Sequence, residues 1–147
     1  MRLMRAAAVL LAASIVQAPT VHAAPDSGVP PVSPQAAAAG FVDVRTAVPD
    51  AVIDLRYATA NNFVGVPLYP ADARCLVHES MAPGLSAAAA SLRARGDRLV
   101  FWDCYRPHEV QVRMFDAVPN PAWVAKLGPY ARSHEAGRSV DVTIVDA

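Results

Sequence analysis

The chain has 147 residues, enough for one domain with a core of its own. Its 13 basic and 13 acidic residues cancel to a formal net charge of zero, so it lacks the electrostatic footprint of a nucleic-acid binder or of a protein held to an anionic membrane.

Residues 1–23 read as an export signal. Met1-Arg2-Leu3-Met4-Arg5 is a short basic head, and the apolar stretch from Ala6 to Ala18 is too short and alanine-rich to span a bilayer. Val21-His22-Ala23 offers small residues at the two positions a signal peptidase reads, which places cleavage after Ala23. The mature protein is expected to be exported, to a bacterial periplasm, with no stable membrane span after cleavage.

Residues 24–40, rich in Pro, Ala and Ser, read as a flexible tether. The domain is expected over 41–147. Phe41 to Val44 and Ala51 to Tyr57 have strand character, with the turn signal Pro49-Asp50 between them, and Asn61 to Gly65 reads as a loop. Ser80 is a candidate N-cap for a helix through Arg95. Met81, Leu85, Ala88, Ala89 and Leu92 recur along it at helical spacing, and Gly96 stands where a helix-ending glycine belongs.

Leu99 to Trp102 follows as a buried strand. Pro107 suits the first turn of a second helix, with Val112, Phe115 and Val118 turned inward. Pro119 and Pro121 end that helix, residues 122–127 have the character of one more helical turn, and Ser139 to Val145 form the last strand. Strands and helices interleave without a βαβ repeat, which predicts an α+β domain with a mainly antiparallel sheet flanked by helices.

There are two cysteines, Cys75 and Cys104, and no C-x-x-C pair. In an oxidising compartment they form one structural disulfide, worth roughly 3 kcal/mol, or stay as two separate buried thiols.

Two segments carry chemistry. Ser133-His134-Glu135-Ala136-Gly137-Arg138-Ser139-Val140-Asp141 sets an imidazole and a carboxylate seven positions apart across a glycine. Those are the donor types of a catalytic zinc, which keeps three protein ligands and one position for water. Strand alternation groups Asp141 with Ser139, Thr143 and Val145, and Gly137 would let the loop fold back so that His134 reaches the same point. The alternative is a surface loop beside a strand-edge aspartate. In Asp103-Cys104-Tyr105-Arg106-Pro107 a strand runs into an aspartate and an arginine. An arginine fixed there presents a planar fork of donors to an oxyanion, or else pairs with Asp103 to tie the turn.

Three collinear motifs, Tyr57 to Gly65, Asp103 to Pro107, and Ser133-His134-x-x-Gly137-x-x-x-Asp141-Val142-Thr143, resemble the zinc D-alanyl-D-alanine dipeptidases (the VanX-like family). The resemblance runs from Phe41 to the end of the sequence. It implies the fold shared by the zinc D,D-peptidases and the hedgehog signalling domain. It further implies a Zn²⁺ cofactor and a small D-amino-acid dipeptide as substrate. By the same resemblance His134 and Asp141 match zinc ligands, Arg106 matches the arginine that stabilises the transition state, and Asp103 and Ser133 are candidates for holding the dipeptide.

The sequence departs from the family in three places. Ser139 stands where alanine is usual, and Cys104 where the best-known members have glycine. Family members also continue for several tens of residues and carry a Glu-x-x-His element, whose glutamate is the general base and whose histidine is the third zinc ligand. No Glu-x-x-His occurs in these 147 residues, and His78 and His108 are weak substitutes. The expectation is the N-terminal portion of a dipeptidase, cut short, with little activity alone. The competing readings are a zinc D,D-carboxypeptidase acting on peptidoglycan stem peptides and a non-catalytic peptidoglycan-binding remnant.

Overall fold

A computed structural model of the protein describes residues 28–128 and 132–147. The expected signal peptide lies outside them. Within the stretch read as a tether, Pro34–Ala38 forms a short helix, α1, capped by the Ser33 hydroxyl, which accepts from the Ala36 N–H at 3.1 Å. The carbonyls of Pro30 and Pro31 accept from the Arg74 guanidinium at 2.6 and 2.9 Å. This part of the stretch is therefore docked on the domain.

Among the described residues, five strands form two sheets. β1 (Phe41–Asp43) pairs antiparallel with β3 (Leu76–His78). The second sheet has the order β2–β4–β5, in which β2 (Val52–Ile53) runs parallel to β4 (Asp97–Asp103) and β5 (Asp141–Asp146) runs antiparallel to it. The domain is α+β with a mainly antiparallel arrangement, as the interleaved pattern predicts. Only two residues of the expected strand 51–57 pair. The chain then turns into a 3₁₀ turn, Arg56–Ala58, which carries Tyr57 out of the sheet.

The helix α2 spans Ala82–Arg93 and buries Leu85, Ala89 and Leu92 against a core that includes Val77, Leu99 and Phe101. Ala88, grouped with the apolar face by spacing, is exposed. Ser80 is not the cap. It sits in a 3₁₀ turn, Glu79–Met81, capped by His78, whose Nδ1 accepts from the Ser80 N–H at 3.2 Å. Gly96 ends the helix at a φ of +81°, a conformation that glycine adopts without steric cost.

The helix α3 spans His108–Ala117 and buries Val110, Gln111 and Met114. Val112, Phe115 and Val118 are only partly buried, so the inward face is rotated from the one spacing suggests. Pro107 lies outside as the N-cap residue, and its carbonyl accepts from the Val110 and Gln111 N–H groups. After α3 the N–H groups of Trp123 and Val124 both bond the Asn120 carbonyl, making a single turn that buries Val124 and leaves Trp123 exposed.

The strand β5 is an edge of its sheet and exposes Val142, Ile144 and Val145. No helix among the described residues is long and apolar enough to cross a membrane.

Candidate active site

The register between β4 and β5 slips by one residue at Trp102. Up to Phe101 the ladder is regular; past Trp102, Asp103 rather than Trp102 stands opposite Asp141. A bulge of this kind re-aims a side chain and is frequent beside active sites. Here it brings the two candidate segments face to face.

The loop after β4 carries Arg106, and the turn 133–137 carries His134. The Arg106 N–H donates to the His134 carbonyl at 3.2 Å, which locks the two loops together. Gly137 makes the fold-back possible. Its φ is +64°, its carbonyl accepts from the His78 N–H at 2.8 Å, and a Cβ there would run into the Phe41 ring.

The result is a compact set of groups. His134 Nε2 lies 3.5 Å from Asp141 Oδ1, and Arg106 Nη2 lies 3.6 Å from Asp141 Oδ2. His134 Nδ1 is 2.9 Å from the Cys104 carbonyl oxygen. That oxygen can only accept, so Nδ1 carries a proton, and in the neutral ring the Nε2 lone pair faces Asp141. Two ligand atoms on a tetrahedral zinc, with bonds of about 2.0–2.1 Å, sit roughly 3.3 Å apart. The Nε2–Oδ1 separation fits that spacing, and the donor chemistry fits zinc.

Asp103 stands near enough to make a third donor, since Asp103, His134 and Asp141 each place one ligand atom within 4.8 Å of the others. Its oxygens are already engaged. Oδ2 accepts from Arg106 Nε at 2.9 Å and Nη2 at 2.6 Å, while Oδ1 accepts from the Tyr69 hydroxyl at 2.7 Å and the Cys104 N–H at 2.9 Å. Asp103 is fully buried. The geometry therefore makes it the support of Arg106, and leaves it no free oxygen for a dipeptide. Ser133 is exposed, and among the described residues its hydroxyl makes no hydrogen bond, so it is free to meet a ligand.

Arg106 Nη1 donates to Gln111 Oε1 at 2.6 Å, and Gln111 Nε2 donates to the Ala125 carbonyl at 2.8 Å. Among the described residues, three of the five guanidinium N–H groups are thus spent on hydrogen bonds, which leaves two for a ligand. The Tyr57 ring lies under the guanidinium, 5.6 Å from its carbon. Sequence reasoning missed Tyr69 and Gln111. Gln111 had one signal, an amide on the apolar face of α3. Tyr69, 34 positions from Asp103, had none.

Electrostatics follow from this packing. Burial alone would lower the His134 pKa, but Asp141 and the Cys104 carbonyl outweigh it and raise the value. With the ring protonated on both nitrogens, Nε2 donates to Asp141 and holds that carboxylate below its usual range, against burial. Burial lifts Asp103, with Arg106 and Tyr69 pulling the other way, and Asp103 in turn raises Arg106 against that residue's own burial.

Around these groups a cleft of about 230 Å³ is lined by Tyr57, Phe63, Arg106, Trp123, His134 and Asp141, among others. Asn62 shapes the wall that carries Phe63. Its amide donates to the Thr59 and Val66 carbonyls, and its oxygen accepts from the Val64 and Gly65 N–H groups. His78 bonds Ser80, and His108 bonds Glu135; neither belongs to the cluster at Asp141.

The family model for D-Ala-D-Ala dipeptidases matches residues 37–147. The chain belongs to the D-Ala-D-Ala dipeptidase family. A D-alanyl-D-alanine dipeptidase of Escherichia coli (strain K12) is 33% identical over 106 residues, which are 72% of this chain and 54% of that protein. The chain thus spans about half the length of the curated relative it matches. Membership in this zinc-dependent peptidase family agrees with the donor set at His134 and Asp141. The disulfide is present: Cys75 and Cys104 are bonded, and both are buried.

Proposed function

We propose that the protein acts in zinc-dependent hydrolysis of the D-Ala-D-Ala dipeptide, in cell-wall peptide metabolism outside the cytoplasm. The observation that carries this reading is the 3.5 Å approach of His134 Nε2 to Asp141 Oδ1 beneath a buried guanidinium. His134 and Asp141 would hold the ion, and a zinc ion held there supplies Lewis-acid polarisation of the peptide carbonyl and a bound water of lowered pKa. Arg106 meets the negative charge that develops on the carbonyl oxygen with its two uncommitted N–H groups. Asp103 and Gln111 keep the guanidinium aimed, so little reorganisation is needed as the charge forms. Phe63, Tyr57 and Trp123 line the cleft with apolar surface and suit a small, largely apolar dipeptide. Ser133 is assigned to the substrate's polar ends.

Two protein ligands hold zinc weakly, and no Glu-x-x-His is available within these residues to add a base. The 147-residue polypeptide alone is therefore assigned little or no turnover. The Cys75–Cys104 disulfide and the apolar segment near the start of the sequence support an exported, periplasmic location.

The test is release of D-Ala from D-Ala-D-Ala with and without zinc, beside a stem pentapeptide. It is run on the 147-residue polypeptide and on the product of the complete reading frame. Cleavage of the dipeptide by the complete product, abolished by a chelator, is expected. Preferential trimming of the pentapeptide would make it a carboxypeptidase, and rapid cleavage by the 147-residue polypeptide would contradict the two-ligand reading.

A further inference from the structure

We infer that the Cys75–Cys104 disulfide is a positioning element of the metal site, fixing the Cys104 carbonyl that sets the tautomer and orientation of His134. This rests on the zinc reading above, and it gives the bridge a role beyond stapling the fold.

Cys104 follows the last residue of β4 and lies at a crossing of five constraints. Its N–H donates to Asp103 Oδ1 at 2.9 Å, and its carbonyl accepts from His134 Nδ1 at 2.9 Å. The next N–H, of Tyr105, donates to the Leu76 carbonyl at 2.9 Å, and the one after, of Arg106, to the His134 carbonyl at 3.2 Å. The sulfur is the fifth constraint, tied to Cys75 just before β3 with the two Cα atoms 5.2 Å apart. The sheet β1–β3 and the sheet β2–β4–β5 share no strand ladder. The covalent bridge and the Tyr105–Leu76 hydrogen bond therefore set the position of the Cys104 peptide relative to both.

That peptide decides what His134 presents to the cleft. A carbonyl 2.9 Å from Nδ1 demands a proton there and leaves the Nε2 lone pair free for an ion. With the carbonyl displaced, a neutral imidazole can place its proton on Nε2 instead, and an N–H would then face Asp141 where a ligand atom is needed. Both cysteines are buried at 1% exposure, so the bridge acts through backbone placement rather than through chemistry of its own.

The experiment compares the oxidised protein with the double variant Cys75→Ala/Cys104→Ala, each first shown to be folded by circular dichroism. Two readouts are taken. One is the His134 tautomer, from long-range ¹⁵N–¹H spectra of metal-free protein at a pH where the ring is neutral. The other is zinc affinity by competition with a chelating indicator. The oxidised protein is expected to show the Nδ1–H tautomer. The variant is expected to show a mixture and a zinc Kd raised about 10- to 100-fold, the range for losing an outer partner of a ligating histidine.

An unchanged tautomer and Kd in a variant that merely melts earlier would make the bridge a plain staple and overturn the inference. Should the double variant not fold, native protein reduced after folding and freed of reductant under argon gives the same two readouts. Outright unfolding on reduction would also overturn it. Failure of the oxidised protein to bind zinc would strike the metal reading instead, and the tautomer comparison would still decide this one.

Discussion

Arg106 gives two N–H groups to one oxygen of Asp103, Nε at 2.9 Å and Nη2 at 2.6 Å, and both residues are buried. This pair is the ground on which the site is built, because it fixes a cation at the mouth of the cleft facing Asp141.

Replacing Arg106 by lysine keeps the charge and loses the fork. A lysine cannot satisfy Asp103 Oδ2 and Gln111 while also offering donors to a ligand. In the catalytically competent enzyme Arg106→Lys is expected to lower kcat by about 10²- to 10³-fold, the scale of losing an oxyanion donor. Zinc affinity should hardly move, since Arg106 is not a ligand. Steady-state kinetics beside a zinc titration checks both.

Asp103→Asn tests the support itself. It leaves the buried guanidinium with the half-exposed Asp141, 3.6 Å away, as its remaining charged partner, and breaking a buried pair costs about 3–5 kcal/mol. Urea unfolding of the variant should show a loss in that range. A loss near zero would mean that solvent compensates Arg106 and that the pair is not structural.

Two glycines make a controlled comparison. Gly65 and Gly137 both have positive φ, at +78° and +64°. A Cβ on Gly65 meets open space, whereas one on Gly137 collides with Phe41 and lies 2.8 Å from the His78 nitrogen. Gly65→Ala should therefore cost about 1–2 kcal/mol, the backbone strain alone. Gly137→Ala should cost clearly more and weaken zinc binding, because the displaced turn carries His134. Chemical denaturation of the two variants side by side provides the measurement.

The turn around Gly137 was legible because its parts are adjacent in sequence: a histidine, a flexible hinge and an aspartate opening a strand. The long helix α2 was legible from Leu85, Ala89 and Leu92. What escaped depends on distance or on a local irregularity. β3 is three residues, Leu76–His78, too short for alternation to show. The slip at Trp102 that sets Asp103 opposite Asp141 leaves no mark on composition. Tyr69 reaches Asp103 only through the fold, and Gln111 shares the buried face of α3 with Val110 and Met114 rather than the face expected from Val112, Phe115 and Val118.

Acid stability should report a different carboxylate. Asp43 is buried, yet its pKa is lowered: burial works to raise it, and hydrogen bonds and charge from Arg45 and Arg74 outweigh that. A group depressed on folding contributes stability above its unfolded value, here 3.8, and loses it as pH falls through the folded value. Wild type should thus exceed Asp43→Asn in stability near neutral pH, with the gap closing below about pH 4. A gap independent of pH would show that the charge is not what matters. Melting curves across the acid range test this, and Arg74, which also holds Pro30 and Pro31, should lose its grip on the segment before β1.

The most direct test of the central claim is anomalous diffraction at the zinc edge from crystals of the zinc-loaded protein. One peak is expected between His134 Nε2 and Asp141 Oδ1, about 2 Å from each, with the Arg106 guanidinium facing it. A peak bound elsewhere, or none at that pair at saturating zinc, would contradict it.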